Sequence, residues 1–233
     1  MGVGLDRLVT DLAAADPAVR DEKAYPELVS LIRSGELDDR LVPLGDAMVG
    51  RLGHPEIQAR TFAPLILAAI VDRGITGPGW YEAFAAWWLA ETDLRGWDDR
   101  LGWLHAIAHG ADLAGAFGSP DALDLVARRV TAPTGYHFAQ MEEDRVARAV
   151  VRILTRPDVD PTGWLSVVDD LFATGGPGPL PVPVANTLAV LRATYVMADR
   201  RDLPHRAAVT DAIARRLHEA FPAYPAQCES STR

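Results

Sequence analysis

Lysine and cysteine are almost missing from this chain of 233 residues: Lys23 and Cys228 are the only examples of each. A single cysteine permits neither an intrachain disulfide nor a multi-cysteine metal site. With one lysine, nearly all positive charge is arginine, as a GC-rich genome would produce. Positive charge is also short overall. The net charge of −9 and a pI near 5.1 argue against a general nucleic-acid binder, which would carry a basic face, although a local basic groove remains open. Long apolar runs are absent. The most apolar stretch, residues 62–71, falls well below the roughly 20 residues a membrane span needs. The first residues, MGVGLDRLVTDL, lack the basic and apolar segments of a secretory signal. A cytoplasmic protein with no membrane partner is the expectation. Glycine-rich phosphate loops, a G-x-S-x-G elbow and a cysteine nucleophile are missing too, so kinase, dehydrogenase and ordinary hydrolase readings have no support.

Alternating strand patterns and hairpin dipeptides are also lacking, whereas helical spacing is abundant. Hydrophobic residues make up 48%, enough for a globular core. Leu5, Leu8, Val9 and Leu12 open a first helix. A second is expected over 17–34 with a kink near Pro26, a third over 38–52, and a fourth from His54-Pro55 to Val71, apolar on nearly every side and therefore central. A fifth, about 80–92, carries Trp80, Tyr81, Phe84, Trp87 and Trp88, more as packing than as a ligand cage. Gly118-Ser119-Pro120-Asp121 is a stop and start signal: glycine past one helix, then N-cap, Pro at the first position and an acid in the first turn. Helices then follow at about 120–131, 139–155, 161–174, 182–199 and 205–221. Ten or eleven helices with short loops predict an all-α fold, an α/α right-handed superhelix of HEAT-like stacked antiparallel pairs, with a globular bundle as the competing architecture. The expected domain is 1–221, with a frayed tail over 222–233.

The stretch Leu94 to Leu113, LRGWDDRLGWLHAIAHGADL, reads as one long helix. At 100° per residue, Asp98, Gly102, His105, His109, Asp112 and Ala116 fall within about 80° of one another. Apolar residues fill the other directions, so a narrow polar stripe would face a crevice. His105, His109 and Asp112 are the candidate catalytic residues, as acid/base or hydrogen-bonding groups. They are also a conceivable metal set. The metal reading is the weaker one, because Ala106 replaces the glutamate of H-E-x-x-H and no fourth ligand is evident. No cofactor is expected. A structural reading pairs His105 and Asp112 with arginines, Arg95 and Arg100 being nearest in sequence.

Around this core, Arg60 is an arginine on an apolar helix in need of an acidic partner, with Asp112, Asp93 or Asp98 as candidates. Glu143 or Asp144 is expected to reach the stripe, although an acidic run at a helix start also offsets the dipole. His137 on a loop with Tyr136 could form a lip, and Trp97 and Trp103 an apolar wall. Arg20, Asp21 and Glu22 read mainly as charge at a helix N-terminus.

Five segments stand out together: Glu91 to Trp97, Gly102-Trp103-Leu-His105 with His109 and Asp112, Arg20 to Tyr25, Arg60 to Leu67, and Glu143-Asp144-Arg145 followed by Ala147. They resemble the motifs of an uncharacterised bacterial family, domain-of-unknown-function family 2785. The resemblance spans about 15–155 and implies an all-helical, HEAT-like fold; it carries over no reaction. The arginine-rich, actinobacterium-like composition would suit a tailoring or self-resistance role in natural-product metabolism.

The first expectation is a small-molecule pocket on a concave face, whose ligand is either transformed or merely held. The second is a protein-interaction scaffold, with a protein partner or a homodimer. A metal-dependent enzyme and a helical-repeat enzyme of the DNA-glycosylase kind rank behind both.

Overall fold

A computed structural model describes residues 2–173 and 178–221. The tail expected over 222–233, with Cys228 in it, lies outside the described residues. The architecture is all-α. Helix α1 covers Gly2–Asp11. Asp16 caps the next helical run by accepting the Ala18 N–H at 2.9 Å, and Pro17 occupies the first position. That run is continuous: α2 (Pro17–Val19), one π-helical turn (Arg20–Ala24) and α3 (Tyr25–Ser34), ended by left-handed Gly35. The irregularity expected near Pro26 is this π turn. Pro26 has no N–H to give, and the wider turn just before it accommodates the loss.

Then come α4 (Leu41–Arg51), α5 (Ile57–Val71) and α6 (Trp80–Ala90). They are followed by α7 (Ala106–Phe117), α8 (Pro120–Thr131) and α9 (Glu142–Ile153). The last three are α10 (Ser166–Ala173), α11 (Val182–Asp199) and α12 (Arg206–Ala220). The stop and start between α7 and α8 are as the sequence implies: Gly118 is left-handed, and Ser119 Oγ accepts the Ala122 N–H at 3.1 Å.

The helices form two rows. In one, α3, α5, α7, α9 and α11 each pack on the next, with α12 against α11. In the other, α4, α6 and α8 sit behind them, and α10 closes on α8 and α11. One hydrophobic cluster runs through both rows from Leu8 to Leu217. Every residue of α5 except Arg60 is buried, which makes it the central helix. No described helix is long and apolar enough to cross a membrane.

The structure corrects one prediction that matters for the site. The stretch from Leu94 is not a single helix, because α7 begins only at Ala106. Before it lies a small antiparallel hairpin, β1 (Trp97–Asp98) and β2 (Gly102–Trp103), with Trp97 opposite Trp103. Asp98 makes the turn: its Oδ1 accepts the N–H groups of Arg100 and Leu101 at 3.0 and 2.9 Å. Gly102 supplies the positive φ of 71°. A hairpin this short has no period-two pattern to detect.

Candidate functional site

The inner row presents a cleft with two lobes. The first has a volume of about 480 Å³ and is walled by Phe62, Leu65, Trp103, Met141 and the two histidines, with Asp21, Asp144 and Arg145 at its polar edge. The second, about 650 Å³, is lined by Arg33, Arg145, Arg148, Arg152 and Arg201 with Asp72 and Asp112. Tyr25, Leu65 and Arg145 line both lobes.

The backbone of His105 is held on both sides. Its own N–H donates to the Arg95 carbonyl at 3.2 Å, and its carbonyl accepts the His109 N–H at 2.8 Å, starting α7. Its backbone is left-handed, with φ 48°. Among the described residues only His105 and Met141 have positive φ without being glycine, and both line the first lobe. Such strain persists where surrounding structure imposes it, and it is concentrated at functional sites.

The hairpin that carries His105 is fixed by buried polar groups. Arg20, fully buried in the π turn, donates to the carbonyls of Ala14 at 2.8 Å, Leu101 at 2.5 Å and Trp103 at 3.4 Å. Its guanidinium lies 4.8 Å from the Phe62 ring centre. Its Nε is 2.7 Å from Asp21, but neither atom completes a hydrogen bond, so the contact is one of charge. On the opposite side Tyr136 OH accepts the Gly96 N–H at 2.8 Å and donates to fully buried Glu142 at 2.9 Å. Asn186 of α11 holds the loop before Met141, accepting from the Phe138 N–H and donating to the Tyr136 carbonyl.

His109 lies beneath His105, with ring centres 5.8 Å apart, and packs edge-on against Phe62. Its Nδ1 is 2.9 Å from the Thr61 carbonyl. A carbonyl only accepts, so the proton is on Nδ1 and Nε2 carries a lone pair when the ring is neutral. Burial first, then the Arg145 and His105 charges, push its pKa down to about 3. Burial also lowers the pKa of His105, against the pull of Glu142. His105 Nε2 is buried and has no hydrogen-bond partner among the described residues. Burial raises the pKa of Asp21, with Arg20 opposing.

Residues 47–196 match the family described as Protein of unknown function (DUF2785). The chain belongs to this family. No curated protein and no solved structure matches it. The hairpin, both histidines, Glu142 and Arg145 lie inside the region that defines the family, while Arg20 to Tyr25, which resembles one of its motifs, precedes that region.

Within this family member, the predicted residues are distributed as follows. His105, His109, Trp103 and Asp144 come together in the first lobe. Asp112 does not join them. It lies in the second lobe, where both of its oxygens accept from Arg145 and one also accepts from Arg148 at 2.5 Å. Asp98 sits on the hairpin, bonded to Arg95 and the turn, and so leaves the predicted stripe. Trp97 is 46% exposed and stacks edge-on against Trp103 without lining the lobe. Arg60 pairs with Glu91 at 2.5 Å and not with Asp93, Asp98 or Asp112. Burial works against ionisation of Glu91, but the Arg60 and backbone donors outweigh it and hold its pKa low. His137 is exposed on its loop, and Glu143 lines neither lobe. No group of three His, Cys, Asp or Glu among the described residues is placed to hold a metal ion. Sequence reasoning missed Arg20, Tyr25, Glu91, Met141, Arg145 and Arg148 as members or supports of the cleft.

Proposed function

We infer that this protein binds a small molecule in the histidine lobe, with a hydrogen bond made by His105, another accepted by His109 Nε2, and an apolar wall of Phe62, Leu65, Trp103 and Met141. The observation that carries this reading is His105: it lines a cavity of several hundred Å³, its backbone is held left-handed, and its buried Nε2 has no hydrogen-bond partner among the described residues. Leaving such a group unbonded costs on the order of 1–3 kcal/mol, and a ligand recovers that cost when a small turn of the imidazole brings the nitrogen to the surface of the lobe. The lobe volume falls within the range of small-molecule sites. Holding a ligand fits better than general-base catalysis at His109. A base with a pKa of about 3 is far from the operating pH at which proton transfer is efficient. The two-row stacking supports the HEAT-like description of the fold, and the arginine-rich composition a bacterial source. A tailoring or self-resistance role would use such a lobe to sequester or orient a product.

Trp103 is 42% exposed and its ring centre lies 4.6 Å from that of His105, so its emission reports entry into the lobe. We expect compounds that change this emission to lose about tenfold or more in affinity on His105→Ala, with melting temperature nearly unchanged. Compounds retained at full affinity by a folded His105→Ala/His109→Ala chain would refute the site.

A further inference from the structure

The second lobe has no role in the reading above. It carries five guanidiniums, Arg33, Arg145, Arg148, Arg152 and Arg201, and only two carboxylates, Asp72 and Asp112. The lobe is therefore positive by three charges inside a chain of net charge −9, an inversion that overall composition does not produce. Arg152 is neutralised by Asp72 at 2.6 Å, and Asp112 is shared between Arg145 and Arg148. Arg33 and Arg201 are exposed on opposite ends of the chain's sequence and make no ion pair among the described residues. The Tyr25 hydroxyl, at the junction of the lobes, also has no protein hydrogen-bond partner among them.

We propose that the arginine lobe takes the phosphoryl group of an organic phosphate whose apolar body occupies the histidine lobe. The proposal rests on the small-molecule reading of the cleft and adds the ligand's chemical class. Guanidinium forks match the paired oxygens of a phosphoryl group, and converging arginines suit a dianion better than a single carboxylate. Arg145 is already held rigidly by Asp112, so little freedom is lost when it bonds an anion. Because Tyr25, Leu65 and Arg145 line both lobes, one molecule can touch both, with the Tyr25 hydroxyl donating at the junction. A compact anion is favoured over a nucleic acid. The arginines gather in this lobe and in an adjoining hollow that shares Arg148 and Arg201 and adds Arg200, while on its other side the histidine lobe offers an apolar wall in place of a continued basic track.

The test uses 1-naphthyl phosphate, 1-naphthol and a single-stranded oligonucleotide of about 20 residues, titrated calorimetrically into the full chain at low salt, where screening is weak. The phosphate is expected to bind at least about tenfold more tightly than the naphthol. Arg33→Gln/Arg201→Gln should remove that advantage and leave naphthol binding unchanged. Both side chains are exposed and make no ion pair among the described residues, so the variant should melt like the parent. His105→Ala should weaken both small probes. Equal affinity for phosphate and naphthol overturns the phosphoryl assignment and leaves the histidine lobe standing. Failure of both to bind overturns the small-molecule reading and this proposal with it. Tighter binding of the oligonucleotide than of the phosphate overturns it in favour of a nucleic-acid groove.

Discussion

His109 is the residue on which the buried part of the site depends, and its ionisation can be followed through folding. An unfolded histidine titrates near 6.5, whereas burial holds this one at about 3. Between those values the unfolded chain binds a proton that the folded chain refuses. Stability is therefore undiminished above about pH 6.5 and falls as the pH drops, by up to about 1.4 kcal/mol per pH unit, until about pH 3. From neutrality to about pH 5 the loss from this residue alone should be about 2 kcal/mol. Urea midpoints for the parent and for His109→Asn, whose amide can still donate to the Thr61 carbonyl, measure it directly. The parent should lose about 2 kcal/mol more than the variant on acidification; parallel losses would exclude His109 as the cause. The two histidines could be picked out in the sequence because their type and spacing are rare. Arg20 could not, because its acceptors are backbone carbonyls at Ala14, Leu101 and Trp103, which carry no residue-type signal. Asp112 was legible as a polar group on a buried helix. Its partners were not, because Arg145 and Arg148 lie on α9, 33 and 36 residues away, while Arg95 and Arg100 are nearer in sequence.

At the level of elements, most helices were written in local chemistry. Proline at first positions, glycine after last ones and Ser119 as a cap place the boundaries of α3, α7 and α8. The start of α7 escaped because the residues before it have a helical apolar pattern, yet Asp98 and Gly102 make a tighter local structure. Side-chain capping of two N–H groups by one aspartate competes directly with helix formation. The stripe drawn from Asp98 to Asp112 was thus half real: only the segment from His105 onward shares an axis. Gly102 is the residue that keeps the hairpin closed. A Cβ there would meet Pro17 at 2.9 Å and would have to accept a φ of 71°. Gly102→Ala should cost about 1–2 kcal/mol from backbone strain alone, and more as the hairpin shifts. Gly50 provides the opposite case. It lies exposed within α4, and a methyl group on its Cα would meet nothing within 4 Å, so Gly50→Ala should stabilise by about 0.5–1 kcal/mol. Chemical denaturation of both variants tests the contrast, and equal effects would show that Gly102 imposes no conformational demand.

Across the whole molecule, the two rows of helices sort charge as well as hydrophobicity. The inner row gathers Arg33 from α3, Asp72 after α5, Asp112 from α7, and Arg145, Arg148 and Arg152 from α9 around one hollow, although the chain is acidic overall. Net charge read from composition could not reveal this, because it averages over faces that only the fold separates. Asp112 is the counterweight in that hollow. Its carboxylate is 15% exposed and ties two guanidiniums together, so it both holds Arg145 in place and reduces the positive field. Those effects act in opposite directions when the charge is removed. Asp112→Asn should lower stability by about 1 kcal/mol, since partly exposed pairs are worth little more. At the same time it should raise the affinity for an organic phosphate severalfold, because the lobe gains one unit of positive charge close to the anion. Added salt should reduce that gain by screening it. Thermal melts and phosphate titrations on the same variant separate the two effects. A fall in both would mean that Asp112 serves the site mainly by aiming Arg145, and that the direction of that guanidinium outweighs the strength of the field around it.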